Sequence, residues 1–183
     1  MSIARIGRPE DGEAVSAERA ALAWSMPAHA GVHSGVIGGW GVDPVLGVQT
    51  RDHRDLDLFV LETDVPALFT LLDATCSRPR CIWSENRWHD RVSSAFVADL
   101  DGIDPDGIDL DTHVVGLLDG AAERILSKHS IELPSGALSG SGVIGGRPVA
   151  CATAEAPLVM HTGYELPEHH RRDLALLREH GER

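Results

Sequence analysis

A chain of 183 residues, 43% of them hydrophobic, carries enough apolar material for one domain with a sizeable core. Its 28 acidic against 16 basic residues give a formal net charge of -12, which argues against a general nucleic-acid binder and suits a cationic small partner drawn to an acidic cleft; solubility alone accounts for the same charge. The first residues, MSIARIGRPEDGEA, are charged throughout, and the uncharged stretch from Ala20 to Val42 is broken by Pro27, two histidines and several glycines. Neither a secretory signal nor a membrane span is expected, and the chain is expected in the cytoplasm. Cys76, Cys81 and Cys151 are odd in number and lack CxxC spacing, which speaks against a disulfide framework and against a zinc site.

The elements alternate in the manner of an α/β (α+β) chain. Apolar residues at helical spacing (Ala17, Ala20, Ala21, Trp24) predict a helix from Ala14 to Ser25, ended by Pro27 and Gly31. A strand over 32–37 runs into Gly38-Gly39, a short helix covers 40–46, a second strand 55–62, and a helix with Leu68, Leu71 and Leu72 on one face covers 65–74. Extended stretches are expected near 79–84, 91–99 and 107–115, with a turn-rich segment from Gly116 to Gly120 closing the core. Short strands fill 124–151. There Gly145-Gly146 suits a two-residue hairpin turn, and a phosphate-cradling loop in SGSGVIGG is the other reading, with no following helix start to favour it. Closing helices are expected over 153–160, capped by Thr153, and 168–180, entered through Pro167.

Residues 38–58, GGWGVDPVLGVQTRDHRDLDL, hold the strongest chemical signal. In a strand, side chains alternate faces, so Asp55 and Asp57 project together while Leu56 and Leu58 point into the core. Burying two acids side by side is costly unless a cation or donors compensate, and paired carboxylates beside phosphate are the usual way to hold Mg²⁺. The pair therefore predicts metal-dependent phosphoryl or nucleotidyl transfer. Lys128 is the only lysine and no GxxxxGK[ST] surrounds it, so a P-loop is excluded. Basic contacts to a triphosphate fall to Arg51 and Arg54, each of which can instead pair with Asp52 or Asp55. Trp40 reads as core, and Asp43 as a local cap or ion pair.

A Gly-Gly turn followed by hydrophobic-Asp-hydrophobic-Asp-hydrophobic resembles the polymerase-β-like nucleotidyltransferase superfamily, with Gly38, Gly39, Asp55 and Asp57 in its fixed positions. GGWGVD followed by TRDHRDLDL resembles its antibiotic-modifying branch, the small lincosamide and aminoglycoside nucleotidyltransferases. A second block, residues 143–177, VIGGRPVACATAEAPLVMHTGYELPEHHRRDLALL, resembles the C-terminal segment of the same branch, so the likeness covers most of the chain after about residue 30. It implies one nucleotidyltransferase domain, with a core over about 30–116 and a C-terminal hairpin and helices over about 124–180. The implied architecture is a mixed sheet with helices mainly on one face.

The resemblance implies further that Asp55 and Asp57 hold Mg²⁺ and that the amides of Gly38 and Gly39 cradle the phosphates of the nucleoside triphosphate, with ATP the commonest donor; Arg51 and Arg54, read from the residues, are the cations placed to meet it. A two-metal transfer site needs a third acid beside the attacking hydroxyl, and in GIDLDTH (107–113) the family's hydrophobic-Asp-hydrophobic run puts it at Asp109, as ligand and general base. The family pattern often continues with His; here Asp111 stands in that place and His113 comes two residues later, which makes Asp111 the rival. Asp99, Asp101, Asp104 and Asp106 read as a solvated loop.

His161, Tyr164 and Glu165, in HTGYE, are the candidates for substrate contact, beside the plainer reading of a packed tyrosine. His169 and His170 read as a solvated helix face. The implied acceptor is a hydroxyl of a small molecule such as a lincosamide or an aminoglycoside, with no nucleic acid or membrane partner, and relatives of this size often work as homodimers. Rival readings are a nucleotidyltransferase that modifies a protein or RNA, a non-catalytic nucleotide-binding regulator, and, more weakly, a metal-dependent hydrolase.

Overall fold

The computed structural model describes residues 14–75, 80–83, 95–99, 109–118, 122–125, 131–162 and 165–181. Helix α1 (Ala17–His29) opens at Ser16, whose hydroxyl accepts the Arg19 N–H at 3.3 Å. It extends beyond the expected stop: Pro27 lies inside its last turn, buried, and the helix ends only before Gly31, at φ +78°. Proline holds a helical φ and loses only its own N–H bond, so a last turn tolerates it when the ring is buried; the left-handed glycine makes the true stop.

Strand β1 (Ser34–Ile37) leads into α2 (Gly38–Leu46), and β2 (Leu56–Leu61) leads through a short 3₁₀ turn into α3 (Val65–Thr75). Strands β3 (Arg80–Trp83), β4 (Ala95–Asp99) and β5 (Asp109–Leu118) follow. β5 runs through Gly116, where a turn was expected. β6 (Ala122–Ile125), β7 (Ile131–Glu132), β8 (Gly140–Ile144) and β9 (Arg147–Cys151) precede α4 (Glu155–Met160) and α5 (Glu168–Gly181). Gly145 and Gly146, at φ +56° and +76°, make the two-residue turn between β8 and β9, whose ends pair Ile144 with Arg147. Thr153 does not cap α4. Its Oγ1 is buried without a hydrogen-bond partner among the described residues, and its backbone carbonyl accepts the Ala156 N–H instead.

The sheet is mixed, in the order β3-β4-β5-β2-β1-β9-β8, with β6 on β5 and β7 on β6. β1 is antiparallel to β2 and β2 is parallel to β5. The alternation expected of β2 holds: Leu56, Leu58 and Val60 are fully buried beside Leu110 and Val114 of β5, under α1, Trp40 of α2, and Leu68 and Leu72 of α3. The helices α1 to α3 thus share one face of the sheet. On the opposite face Ile37, Phe59 and Val115 lie under Leu133, Ala137, Leu138 and Ala156 of α4. α5 packs Leu174 and Leu177 on Val42 of α2. Among the described residues no helix is long and apolar enough to cross a membrane.

Candidate active site

Two registers build the site. In the antiparallel β1–β2 pair Ile37 sits opposite Asp57, so the glycine that follows β1 falls against the Asp57 carboxylate. Gly38 takes φ +64°, and a Cβ there would land on Asp57 Oδ2. This is one position where glycine is required, both by backbone conformation and by a close approach. In the parallel β2–β5 pair Asp57 sits opposite Asp111 and Phe59 opposite His113, and neighbouring strands lie about 4.8 Å apart. The carboxylates of Asp57 and Asp111 therefore rise side by side from the face opposite α1 to α3. Asp57 is partly exposed, and the His113 Nε2 lies 3.5 Å from its Oδ1.

These groups line a cleft of about 900 Å³ together with Gly38, Gly39, Arg51, Asp52, Arg54, Asp55, Met160, His161, Pro167, His169 and His170. Among the described residues this lining holds four carboxylates (Asp52, Asp55, Asp57, Asp111) and two guanidiniums (Arg51, Arg54). That excess of negative charge suits a divalent cation arriving with its own anion.

Gly38, Gly39, Arg51, Arg54, Asp55, Asp57 and His161, predicted from sequence, meet in this one cleft. Glu165 is exposed just before α5 and is not in the lining. The side chain of Asp109 and the whole of Tyr164 lie outside the described residues. Asp109 begins β5, opposite Asp99 of β4, while its rival Asp111 is the acid in register with Asp57. His169 is exposed, as a solvated face requires, and His170 is half-buried; both also line the cleft. Their rings pack 4.3 Å apart, and His170 lies 4.4 Å from the ring of His161. Burial, and next the neighbouring imidazole of His170, push His161 down to about 4, and burial also lowers His170. The His161 ring is therefore neutral at pH 7, and His170 is shifted in the same direction.

Arg51 pairs with neither the Asp52 nor the Asp55 carboxylate. Its Nε and Nη2 donate to the Asp173 carboxylate of α5 at 3.3 and 3.0 Å, and Nη1 donates to the Asp52 carbonyl at 3.1 Å. Asp173 is 7% exposed. Sequence reading missed it, although its place three residues after His170 on one helix puts both on the same face. His53, inside the TRDHRD motif, was missed too. Its Nε2 lies 2.6 Å from Asp43 Oδ2 in the interior, and Trp40 packs on its ring as the core residue expected.

Mg²⁺ fits this lining by chemistry and by shape. The donors are hard carboxylate oxygens, two of them in register on adjacent strands, and the missing Cβ of Gly38 leaves the Asp57 oxygen open to the cleft. Among the described residues no three donors already converge on one point. Mg²⁺ takes one or two carboxylates and completes its shell with water and substrate phosphates, so a preformed protein cage is not what it needs.

A mixed sheet carrying a glycine turn beside paired strand carboxylates is the nucleotidyltransferase fold. Residues 21–177 match the aminoglycoside-2''-adenylyltransferase family, and the chain belongs to that family. No curated protein matches it by sequence. Among solved structures it is similar to the lincosamide antibiotic adenylyltransferase LnuA with lincomycin bound, at TM-score 0.70 and 21% identity over 91% of this chain and 98% of that one. It is also similar to ANT(2'')-Ia in complex with adenylyl-2''-tobramycin, at TM-score 0.63 and 21% identity over 88% of each chain. The solution structure of the antibiotic-resistance factor ANT(2'')-Ia matches at TM-score 0.61 and 21% identity, over 92% of this chain and 89% of that one.

Proposed function

We propose that the protein transfers a nucleoside monophosphate, AMP from ATP, to a hydroxyl of a small antibiotic-like molecule, in the cytoplasm and with Mg²⁺. The observation that carries this reading is the Asp57–Asp111 register beside the Gly38-Gly39 turn, in a cleft whose carboxylates outnumber its guanidiniums. Family membership supports the adenylyl donor.

Asp55 and Asp57 would hold the metal, with Asp111 beside them, and when bound it would neutralise charge on the triphosphate during in-line displacement. The N–H groups of Gly38 and Gly39 open α2 with no side-chain cap, and they receive the phosphates that leave as pyrophosphate. Arg54 lines the same wall and meets a phosphate oxygen, as does whatever reach Arg51 keeps beyond Asp173. The acceptor oxygen attacks the α-phosphorus, its proton passes to a carboxylate, and the bond from that phosphorus to the pyrophosphate oxygen breaks. We assign the base to Asp111, because its register sets it beside Asp57. The rings of His161 and His170, whose protonation burial disfavours, form a wall for the acceptor that does not favour positive charge against a cationic drug.

The test is pyrophosphate release from Mg²⁺-ATP and Mg²⁺-GTP across lincosamides and aminoglycosides, with mass spectrometry of the products. A product heavier by one nucleotidyl group is expected. Failure of every drug in the panel to elicit release, despite Mg²⁺-dependent nucleotide binding, would overturn the acceptor class.

A further inference from the structure

Asp43 and His53 form a buried polar pair that the transfer chemistry does not use. Their side chains are 4% and 1% exposed, and neither lines the cleft. Such a pair is expensive to bury unless every bond is made, and apolar residues would fill the same space more cheaply. The Asp43 carboxylate is fully engaged by one segment of chain. Oδ1 accepts the N–H of Thr50 at 2.9 Å and its hydroxyl at 2.7 Å, while Oδ2 accepts from His53 Nε2 at 2.6 Å. The carboxylate thus folds the stretch after α2 back onto the helix that starts with the glycine turn. The His53 carbonyl takes the Val15 N–H at 2.8 Å, and the Trp40 ring lies 4.5 Å away, tilted by 46°.

With Nε2–H given to Asp43, the other ring nitrogen is directed at the glycine turn. Nδ1 is buried without a hydrogen-bond partner among the described residues, and a Cβ on Gly39 would collide with it. The same Cβ position lies 2.6 Å from Arg51 Nη2. Gly39, His53 and Arg51 therefore meet in one packed contact directly behind the cleft wall, and the chain on either side of His53 carries Arg51, Arg54 and Asp55, all in the lining.

We propose that His53, held by Asp43, is a positioning residue for the nucleotide. It fixes Gly39 and the 50–55 segment in the arrangement that receives the triphosphate. This rests on the nucleotidyl-transfer reading above and goes beyond it, because His53 touches neither the phosphates nor the acceptor. The essential bond is Nε2–H to Asp43, so the two amide substitutions separate. Glutamine places an amide near the Nε2 position and keeps a donor for Asp43; asparagine places its amide near Nδ1 and leaves Asp43 Oδ2 without one.

Mg²⁺-ATP binding measured by titration calorimetry without acceptor, alongside steady-state KM values and thermal unfolding, tests the proposal. His53→Asn should weaken Mg²⁺-ATP about tenfold, the usual scale for removing the support behind a binding group, with the acceptor KM moved by less than about twofold. His53→Gln should restore most of that affinity. Equal losses in the two variants, or a folded His53→Asn protein that binds Mg²⁺-ATP like the wild type, overturn the proposal. Should His53→Asn fail to fold, Thr50→Val decides. It deletes only the 2.7 Å hydroxyl bond to the same carboxylate, and the proposal requires a smaller loss of nucleotide affinity, which an unchanged affinity refutes. A wild-type protein that binds no Mg²⁺-nucleotide overturns the transfer reading and this one with it, whereas normal wild-type binding left intact in the variants overturns this one alone.

Discussion

Replacing Arg51 by methionine removes the guanidinium that two nitrogens extend to Asp173 at 3.3 and 3.0 Å, and leaves a carboxylate 7% exposed without that partner. Breaking a fully buried pair costs about 3–5 kcal/mol; Arg51 is 24% exposed, so water compensates part of it and about 2–3 kcal/mol is the better figure. For a chain of this length each kcal/mol moves Tm by about 2–4 °C, so Arg51→Met should unfold roughly 4–12 °C earlier. Adding Asp173→Leu removes the stranded charge and should recover at least about half the loss. Urea unfolding of the four proteins of the cycle measures this. An Arg51→Met protein within about 0.5 kcal/mol of wild type, or a double variant no more stable than Arg51→Met, would refute the reasoning. The cycle also separates two roles of one side chain: if Arg51 meets phosphate as well, the double variant regains stability and still binds Mg²⁺-ATP weakly.

Asp57→Asn should lower transfer on the order of 10³-fold or more with little change in Tm, since it deletes a metal-ligand charge at a partly exposed site without changing volume; retained turnover sinks the metal assignment. Asp111→Asn should cost more turnover than Asp109→Asn, and the reverse order in single-turnover rates would move the base to Asp109. Gly38→Ala forces a side chain into φ +64° and onto the Asp57 carboxylate, so it should lose about 1–2 kcal/mol of stability and most Mg²⁺-ATP affinity, and normal binding by calorimetry contradicts the glycine turn as phosphate cradle. Burial holds His161 at about 4 against 6.5 for a free imidazole. The unfolded chain therefore takes up the proton first, so this contribution to stability is whole above pH 6.5 and is lost as pH falls toward 4. His161→Gln should flatten the decline of Tm across that window, and an unchanged slope removes His161 as its cause.

The strand alternation that buries Leu56 and Leu58 and leaves Asp57 toward the cleft was legible in the sequence, as was the Gly145-Gly146 hairpin, because a period of two and a positive φ are properties of a few consecutive residues. Gly38 meets Asp57 because β1 pairs with β2 in antiparallel register on either side of α2, while Asp55 lies just before β2 and reaches the same cleft from its entry. Pro27 misled because a proline ends a helix only where its missing N–H or its ring is not accommodated, and burial in the last turn accommodates it.

What the sequence determined by itself was the set of chemical groups and the faces on which local periodicity puts them. The tertiary structure alone decided which groups meet. Asp111 rather than Asp109 stands opposite Asp57 because the register of two parallel strands is set by how their apolar faces pack under α1 to α3, and no local pattern fixes the slip between segments some fifty residues apart. Arg51 finds Asp173 122 positions away, and His169 and His170 turn to the cleft, because α5 is seated by Leu174 and Leu177 on Val42. Partner choice for a charged side chain depends on which carboxylate the packed core delivers to it, and that is a property of the folded chain.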